Sequence, residues 1–222
     1  RADRARLLGY RTHADIVLET RMAKTPENVL NLLNDLLERS LVVAKRVRDE
    51  SQKIAGAGGG TFKLEPHDWW YYAEKLRKEK YDLDENELRP YFSLDNARDG
   101  AFAVANKLYG ITFTRINDIP LPHPDAQAFE DKEADGSHVG VLYMDFYPRE
   151  SKRQGAWCGS YRDHQVVDGK EITPVVTIVG NFTPPAGDKP ALLSMDDVLT
   201  LFHEFGHGLQ GLFSENTYSS TT

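Results

Sequence analysis

Gly110 divides this sequence into two textures, and the division limits the folds it can adopt. Before it, apolar residues recur every three or four positions between helix-capping signals. After it, they alternate or run together between turn residues. In the first part, Ala14, Val17, Leu18 and Met22 predict a helix over about residues 12–23. Thr25-Pro26-Glu27 then supplies a capping residue, a proline at the first helical position and an acid in the first turn. A long helix should follow to about Ile54, with an apolar stripe of Val29, Leu33, Leu36, Leu37, Leu41, Ala44 and Val47. Gly56-Ala57-Gly58-Gly59-Gly60 ends it. This glycine run follows a helix, not a strand, and no Lys-Ser/Thr pair comes after it, so it reads as a turn and not a nucleotide loop.

Asp68 is placed to cap a helix carrying Trp69, Tyr72, Ala73 and Leu76, and the cluster Trp69-Trp70-Tyr71-Tyr72 reads as core. Asp84-Glu85-Asn86-Glu87 has the form of a capping box. Ser93 should cap a helix from about Leu94 to Tyr109, stopped by Gly110. Beyond that point Ile111–Ile116 alternates as a strand does. Residues 128–133 and 139–147 flank the turn signal Asp135-Gly136. Tyr143, Asp145 and Tyr147 alternate with Leu142, Met144 and Phe146, the pattern of a half-exposed strand. Residues 155–158 form a short candidate strand, Asp168-Gly169 a turn, and residues 174–179 a buried strand. Helices, then a small sheet, then a final helix make an α+β class, mainly helical, and not a wound α/β fold.

Composition excludes some functions. The net charge of −7 argues against nucleic acid as a partner, because phosphate binding needs a clustered basic surface. Arg1, Arg4 and Arg6 are interrupted by Asp3 and read as a solvated face. No apolar run approaches the roughly 18–20 residues that span a bilayer, so no membrane partner is expected. Cys158 is the single cysteine. It can form no intrachain disulfide, which suits a reducing, cytoplasmic location, and with Trp157 and Gly159 beside it it reads as an inert thiol. RADRARLLGY lacks a methionine and a signal-peptide core, and reads like the middle of a protein; a periplasmic location therefore stays open.

The chemistry gathers in the last helix. Ser194-Met195-Asp196-Asp197 has the form of a helix start, and Val198, Phe202, Phe205, Leu209 and Leu212 mark the expected buried face. His203-Glu204-Phe205-Gly206-His207 places two histidines four residues apart, on one side of that helix. Two imidazoles so placed can reach one Zn²⁺. Glu204 is turned about 100° away, so it misses the metal but can reach a water held there. Zinc would lower the pKa of that water and polarise a substrate carbonyl, with Glu204 as general base. The third ligand decides the class of site. Gln210 and Phe213 stand where a metzincin has glycine and histidine. Glu215 is the one carboxylate after His207, in a segment expected to leave the helix, and is a poor third ligand.

LFHEFGHGLQGLFSENTYSS resembles the thimet oligopeptidase family of zinc metallopeptidases, and within it the bacterial peptidyl-dipeptidases. The resemblance covers essentially the whole chain. RARLLGYRTHADIVLETRMAKTPENV is similar to the family's long-helix region, and HDWWYYAEKLRKEKYDLDENELRPYFSLDNARDGAF to the segment before its sheet. GVLYMDFYPRESKRQGAWCG is similar to the sheet, and NFTPPAGDKPALLSMDDVLTLFHEFGH to the run into the metal helix. The family implies a two-lobed zincin with a deep channel that cleaves short peptides. It implies one Zn²⁺ per complete site, with His203 and His207 as ligands and Glu204 as base. Gly155, Ala156 and Trp157 would then lie on an edge strand that pairs with the substrate backbone.

The same resemblance puts the third ligand, a glutamate, and further substrate-holding residues beyond Thr222. The expected organisation is thus an incomplete zincin-like catalytic domain over residues 1–222. Its parts are a helical region at 1–110, a sheet region at 111–182 and the metal-binding helix at 194–213. Release of C-terminal dipeptides is the expected reaction of the whole enzyme. Endo-acting cleavage by an oligopeptidase is the alternative in the same family, and a non-catalytic truncated chain is the alternative outside it. Faces left without their family partners should promote association.

Overall fold

The computed structural model describes residues 1–82 and 85–218. The chain forms two compact units, Arg1–Leu83 and Asp84–Thr222. The class is α+β.

The first unit is helical: α1 (Ala2–Leu7), α2 (His13–Glu19), α3 (Pro26–Ala57), a 3₁₀ turn at Pro66–Asp68 and α4 (Trp69–Tyr81). Pro26 opens α3, and Thr25 Oγ1 accepts from the Asn28 amide at 3.2 Å. The apolar stripe of α3 is not the buried face expected. Leu33, Leu36, Leu37 and Leu41 are all 42–55% exposed. The cause is length. At about 1.5 Å per residue, the 32 residues of α3 span about 48 Å and the 13 of α4 about 20 Å. The fully buried residues of α3 are Ser51 and Ala55, near its C-terminal end.

Asp68 does not cap α4 with its side chain; its Oδ2 accepts from the Glu65 amide at 3.0 Å and closes the preceding turn. The four consecutive aromatics also divide. Trp69 and Tyr72 are half-buried, whereas Trp70 is 83% and Tyr71 60% exposed. Neighbours on a helix point about 100° apart, so positions 69, 72 and 76 can share the inner face and 70 and 71 cannot. The capping box expected at 84–87 depends on Asp84, which lies outside the described residues.

The second unit holds α5 (Glu85–Leu88), a 3₁₀ turn (Arg89–Tyr91) and α6 (Leu94–Tyr109), with Ser93 as cap and left-handed Gly110 as stop. Among the described residues seven strands follow: β1 (Thr112–Ile116), β2 (Gln127–Lys132), β3 (His138–Asp145), β4 (Trp157–Arg162), β5 (Gln165–Val167), β6 (Lys170–Ile172) and β7 (Val175–Val179). The chain then enters α7 (Met195–Leu212). Five strands form one sheet in the order β1-β2-β3-β7-β4; β3 and β7 are parallel and the other pairs antiparallel. β5 and β6 make a separate hairpin through Asp168 and Gly169, both at positive φ.

One face of the sheet carries the core. Leu142, Met144 and Phe146 are buried there, with Phe102 of α6, Phe113, Phe129 and Phe205 of α7 in one ring cluster. On the opposite face Asp145 is not half-exposed as the alternation suggests; it is 4% exposed. Arg149 donates twice to it at 2.9 and 2.7 Å, and Lys152 donates at 2.9 Å. Burial alone would raise the Asp145 pKa, but these cationic donors outweigh it and hold the carboxyl below the ordinary value. Asp131 in β2 has no such help. It is fully buried, neither carboxylate oxygen has a hydrogen-bond partner of ordinary geometry, and its pKa is pushed up to about 7, first by burial and then by Glu133, with the Lys132 backbone amide opposing them only weakly. Among the described residues, no helix is long and apolar enough to cross a membrane.

Candidate metal and peptide site

α7 is set by a reciprocal cap. Ser194 Oγ accepts from the Asp197 amide at 3.1 Å, and Asp197 Oδ2 accepts from the Ser194 amide at 2.9 Å. From there the helix packs on the sheet along Leu201, Phe205, Gly208 and Leu212. This seam differs from the expected one. Val198 and Leu209 are only half-buried, and Phe202 is 37% exposed. The seam runs through glycines, which a hydrophobic pattern does not mark. A Cβ on Gly208 would stand 3.0 Å from Ile178 Cδ1, and one on Gly211 would stand 3.1 Å from Val176 Cγ2. The missing side chains let α7 lie close against β7.

With that face fixed, His203 and His207 point away from the core and are exposed. Their Nε2 atoms are 3.2 Å apart, with the rings nearly perpendicular at 83°. Two nitrogens at about 2.0–2.1 Å from one tetrahedral zinc stand about 3.3–3.4 Å apart, so the pair fits one edge of such a coordination sphere. Glu215 is exposed beyond the end of α7. Among the described residues, no group of three His, Cys, Asp or Glu could hold a metal ion.

Beside the histidines, a cleft of about 490 Å³ runs between α7 and β4. Ala156 and Trp157 line it on the strand side, and Glu204, His207 and Gln210 on the helix side. The fold therefore gathers four of the six residues singled out in the sequence. His203 and Gly155 are not among the lining residues. Gly155 precedes the strand: its φ is +90°, and the strand begins at Trp157 and runs to Arg162, in place of the 155–158 expected. Asn181 fixes this approach, with its Nδ2 donating to the carbonyls of Arg153 at 2.8 Å and Gly155 at 2.7 Å. β4 is the last strand of its sheet, and among the described residues it pairs only with β7, so no described strand pairs with its other edge.

Glu204 is half-buried. Cys158 also lines the cleft; burial first, and then the charge of Glu204, push its thiol pKa up, as befits an inert thiol. Gln210, Asp163 and Ser160 also line the cleft, and no sequence motif marks them as site residues. Gln210 could have been marked: three residues after His207 on a helix, it shares that face. Ser160 reaches the cleft through strand register and Asp163 through the turn that follows β4, neither of which carries a local signal.

The whole chain, residues 1–222, matches the model of peptidase family M3. It is 40% identical over 221 residues to the dipeptidyl carboxypeptidase of Escherichia coli, covering 99% of this chain and 32% of that protein. It is 38% identical over 215 residues to oligopeptidase A of the same organism, covering 96% and 32%. To a probable cytosolic oligopeptidase A of Arabidopsis thaliana it is 37% identical, covering 97% and 32%. The chain thus spans about a third of the length of these relatives. Family M3 peptidases are generally zinc-dependent, and a histidine pair with this spacing, a carboxylate beside it and a match along the full chain agree on one assignment: this chain belongs to peptidase family M3.

Proposed function

We propose that this chain is the central catalytic part of a zincin-type peptidase that hydrolyses short peptides and releases dipeptides from their C-termini. The observation that carries the reading is the 3.2 Å separation of the two Nε2 atoms, next to a cleft that Glu204 and His207 line and that β4 walls on its other side. His203 and His207 would hold Zn²⁺ through these nitrogens. When bound, zinc supplies a Lewis acid that polarises the scissile carbonyl and acidifies water. The carboxylate of Glu204 takes the proton from the attacking water and returns it to the leaving amine. The peptide backbone adds to the free edge of β4, which gives binding that tolerates many sequences, with Ala156 and Trp157 in contact and Asn181 fixing the strand's approach.

Two histidines are an incomplete ligand set, so the 222 residues alone are expected to hydrolyse peptides poorly. The third ligand comes from a further segment of the same enzyme, and the exposed leucines of α3 are a face for association. The 38% identity to oligopeptidase A favours a second reading, endo-acting cleavage within the peptide. Product masses separate the two. The chain, complemented with the C-terminal part of an M3 relative, is given one peptide with a free and one with an amidated C-terminus. Dipeptide release from the free peptide and little from the amidated one is expected. Equal internal cleavage of both would replace the exo reading with the endo one.

A further inference from the structure

His164 lies between β4 and β5, is 5% exposed, and has both ring nitrogens engaged. Nδ1 is 3.0 Å from the carbonyl oxygen of Asn216, and Nε2 is 3.0 Å from Glu171 Oε1. A peptide carbonyl accepts and cannot donate, and the same holds for an ionised carboxylate. Both ring nitrogens must therefore carry hydrogen, which makes His164 an imidazolium. Its two bonds join three pieces of chain: the turn after β4, strand β6 and the segment leaving α7. A parallel tie runs beside them, from the Val166 amide to the Thr217 carbonyl at 3.1 Å. The segment so held follows directly on Ser214, whose hydroxyl donates to the carbonyl of Gln210 at 2.8 Å. Gln210 and Asp163, the neighbour of His164, both line the cleft beside the histidine pair.

We propose that His164 is a positioning residue: as an imidazolium it clips the exit of α7 to the β5–β6 hairpin, and loss of its proton releases that exit and the adjoining cleft wall. The charged groups that act on it are Glu171 from β6 and Glu215 from the segment after α7, both acidic. The hydrogen bond to Glu171 contributes most to raising the His164 pKa above its ordinary value, while burial opposes it. A raised folded value means that the clip stabilises fully below the ordinary histidine value of about 6.5 and is lost as pH rises through the raised one. The clip itself is independent of the peptidase reading; only its consequence for peptide binding rests on that reading.

Nuclear magnetic resonance on the 222-residue chain tests this without metal or substrate. At pH 6 both ring nitrogens of His164 should be protonated. The Val166 amide should exchange at least tenfold more slowly than in His164→Gln at the same pH. That ratio should fall toward one by pH 9, and Glu171→Gln, which keeps the histidine, should move the fall to lower pH. A neutral tautomer at pH 6, or a ratio that does not change with pH, overturns the proposal. If His164→Gln loses protection throughout β2 and β3, it has unfolded, and Glu171→Gln against the parent chain carries the test. Failure of the peptidase reading would leave these signals unchanged, so the two failures are distinguishable.

Discussion

Glu204→Gln is expected to lower peptide hydrolysis by about 10²–10⁴-fold while zinc binding stays at the parent level. The division follows from the geometry of α7. His203 and His207 share one face, with Nε2 atoms 3.2 Å apart, whereas Glu204 is half-buried and turned toward the cleft. Glutamine keeps the size and packing of the side chain but cannot accept the proton of the attacking water. The assay uses the chain complemented with the C-terminal part of an M3 relative, with kcat, KM and bound zinc measured on one preparation. The loss should lie in kcat, because the proposed function has the peptide held by β4 and not by Glu204. A variant that retained activity, or lost its zinc, would remove Glu204 from the role of base.

Asp131→Asn should stabilise the second unit at neutral and alkaline pH. The buried carboxyl has a folded pKa of about 7 against an ordinary value of 3.8, with no hydrogen-bond partner of ordinary geometry for either oxygen. Below about pH 4 it is neutral in both the folded and unfolded chain and its burial has no pH-dependent cost. As pH rises from about 4 to about 7, the unfolded chain releases its proton first, and the folded state loses stability. Above that range the deficit is constant. Asparagine removes the titration, and the gain over the parent chain should reach the order of 2–4 kcal/mol at pH 8 and vanish near pH 4. Urea unfolding of both chains at these two pH values measures it. Equal stability at pH 8 would mean that Asp131 is solvated or paired.

The features legible in the sequence were those with local causes. The caps at Thr25, Ser93 and Ser194, the stop at Gly110 and the hairpin turn at Asp168-Gly169 all lie where short-range chemistry puts them. What was not legible depends on partners far along the chain. The α3 leucines form a helical stripe whether or not a helix covers them, and here most of them stay exposed. Asp145 alternates like a solvent-facing residue, yet Arg149 and Lys152 turn back to neutralise it in the interior. In α7 the apolar period suggested a seam through Phe202, but packing follows Gly208 and Gly211, which allow a close approach and add nothing to hydrophobicity. At the site, His203, Glu204 and His207 were set by spacing within one helix. The meeting of Glu204 and His207 with Ala156 and Trp157 across the cleft depends on sheet order, which no local pattern encodes.

Zinc titration of the 222-residue chain, beside His203→Ala and Glu204→Gln, asks whether the histidine pair of α7 holds the metal. One zinc per chain is expected at low affinity, as befits two ligands, lost in His203→Ala and unchanged in Glu204→Gln. Zinc binding that is the same in His203→Ala as in the parent chain, or none at millimolar zinc, would contradict the histidine pair as the metal site.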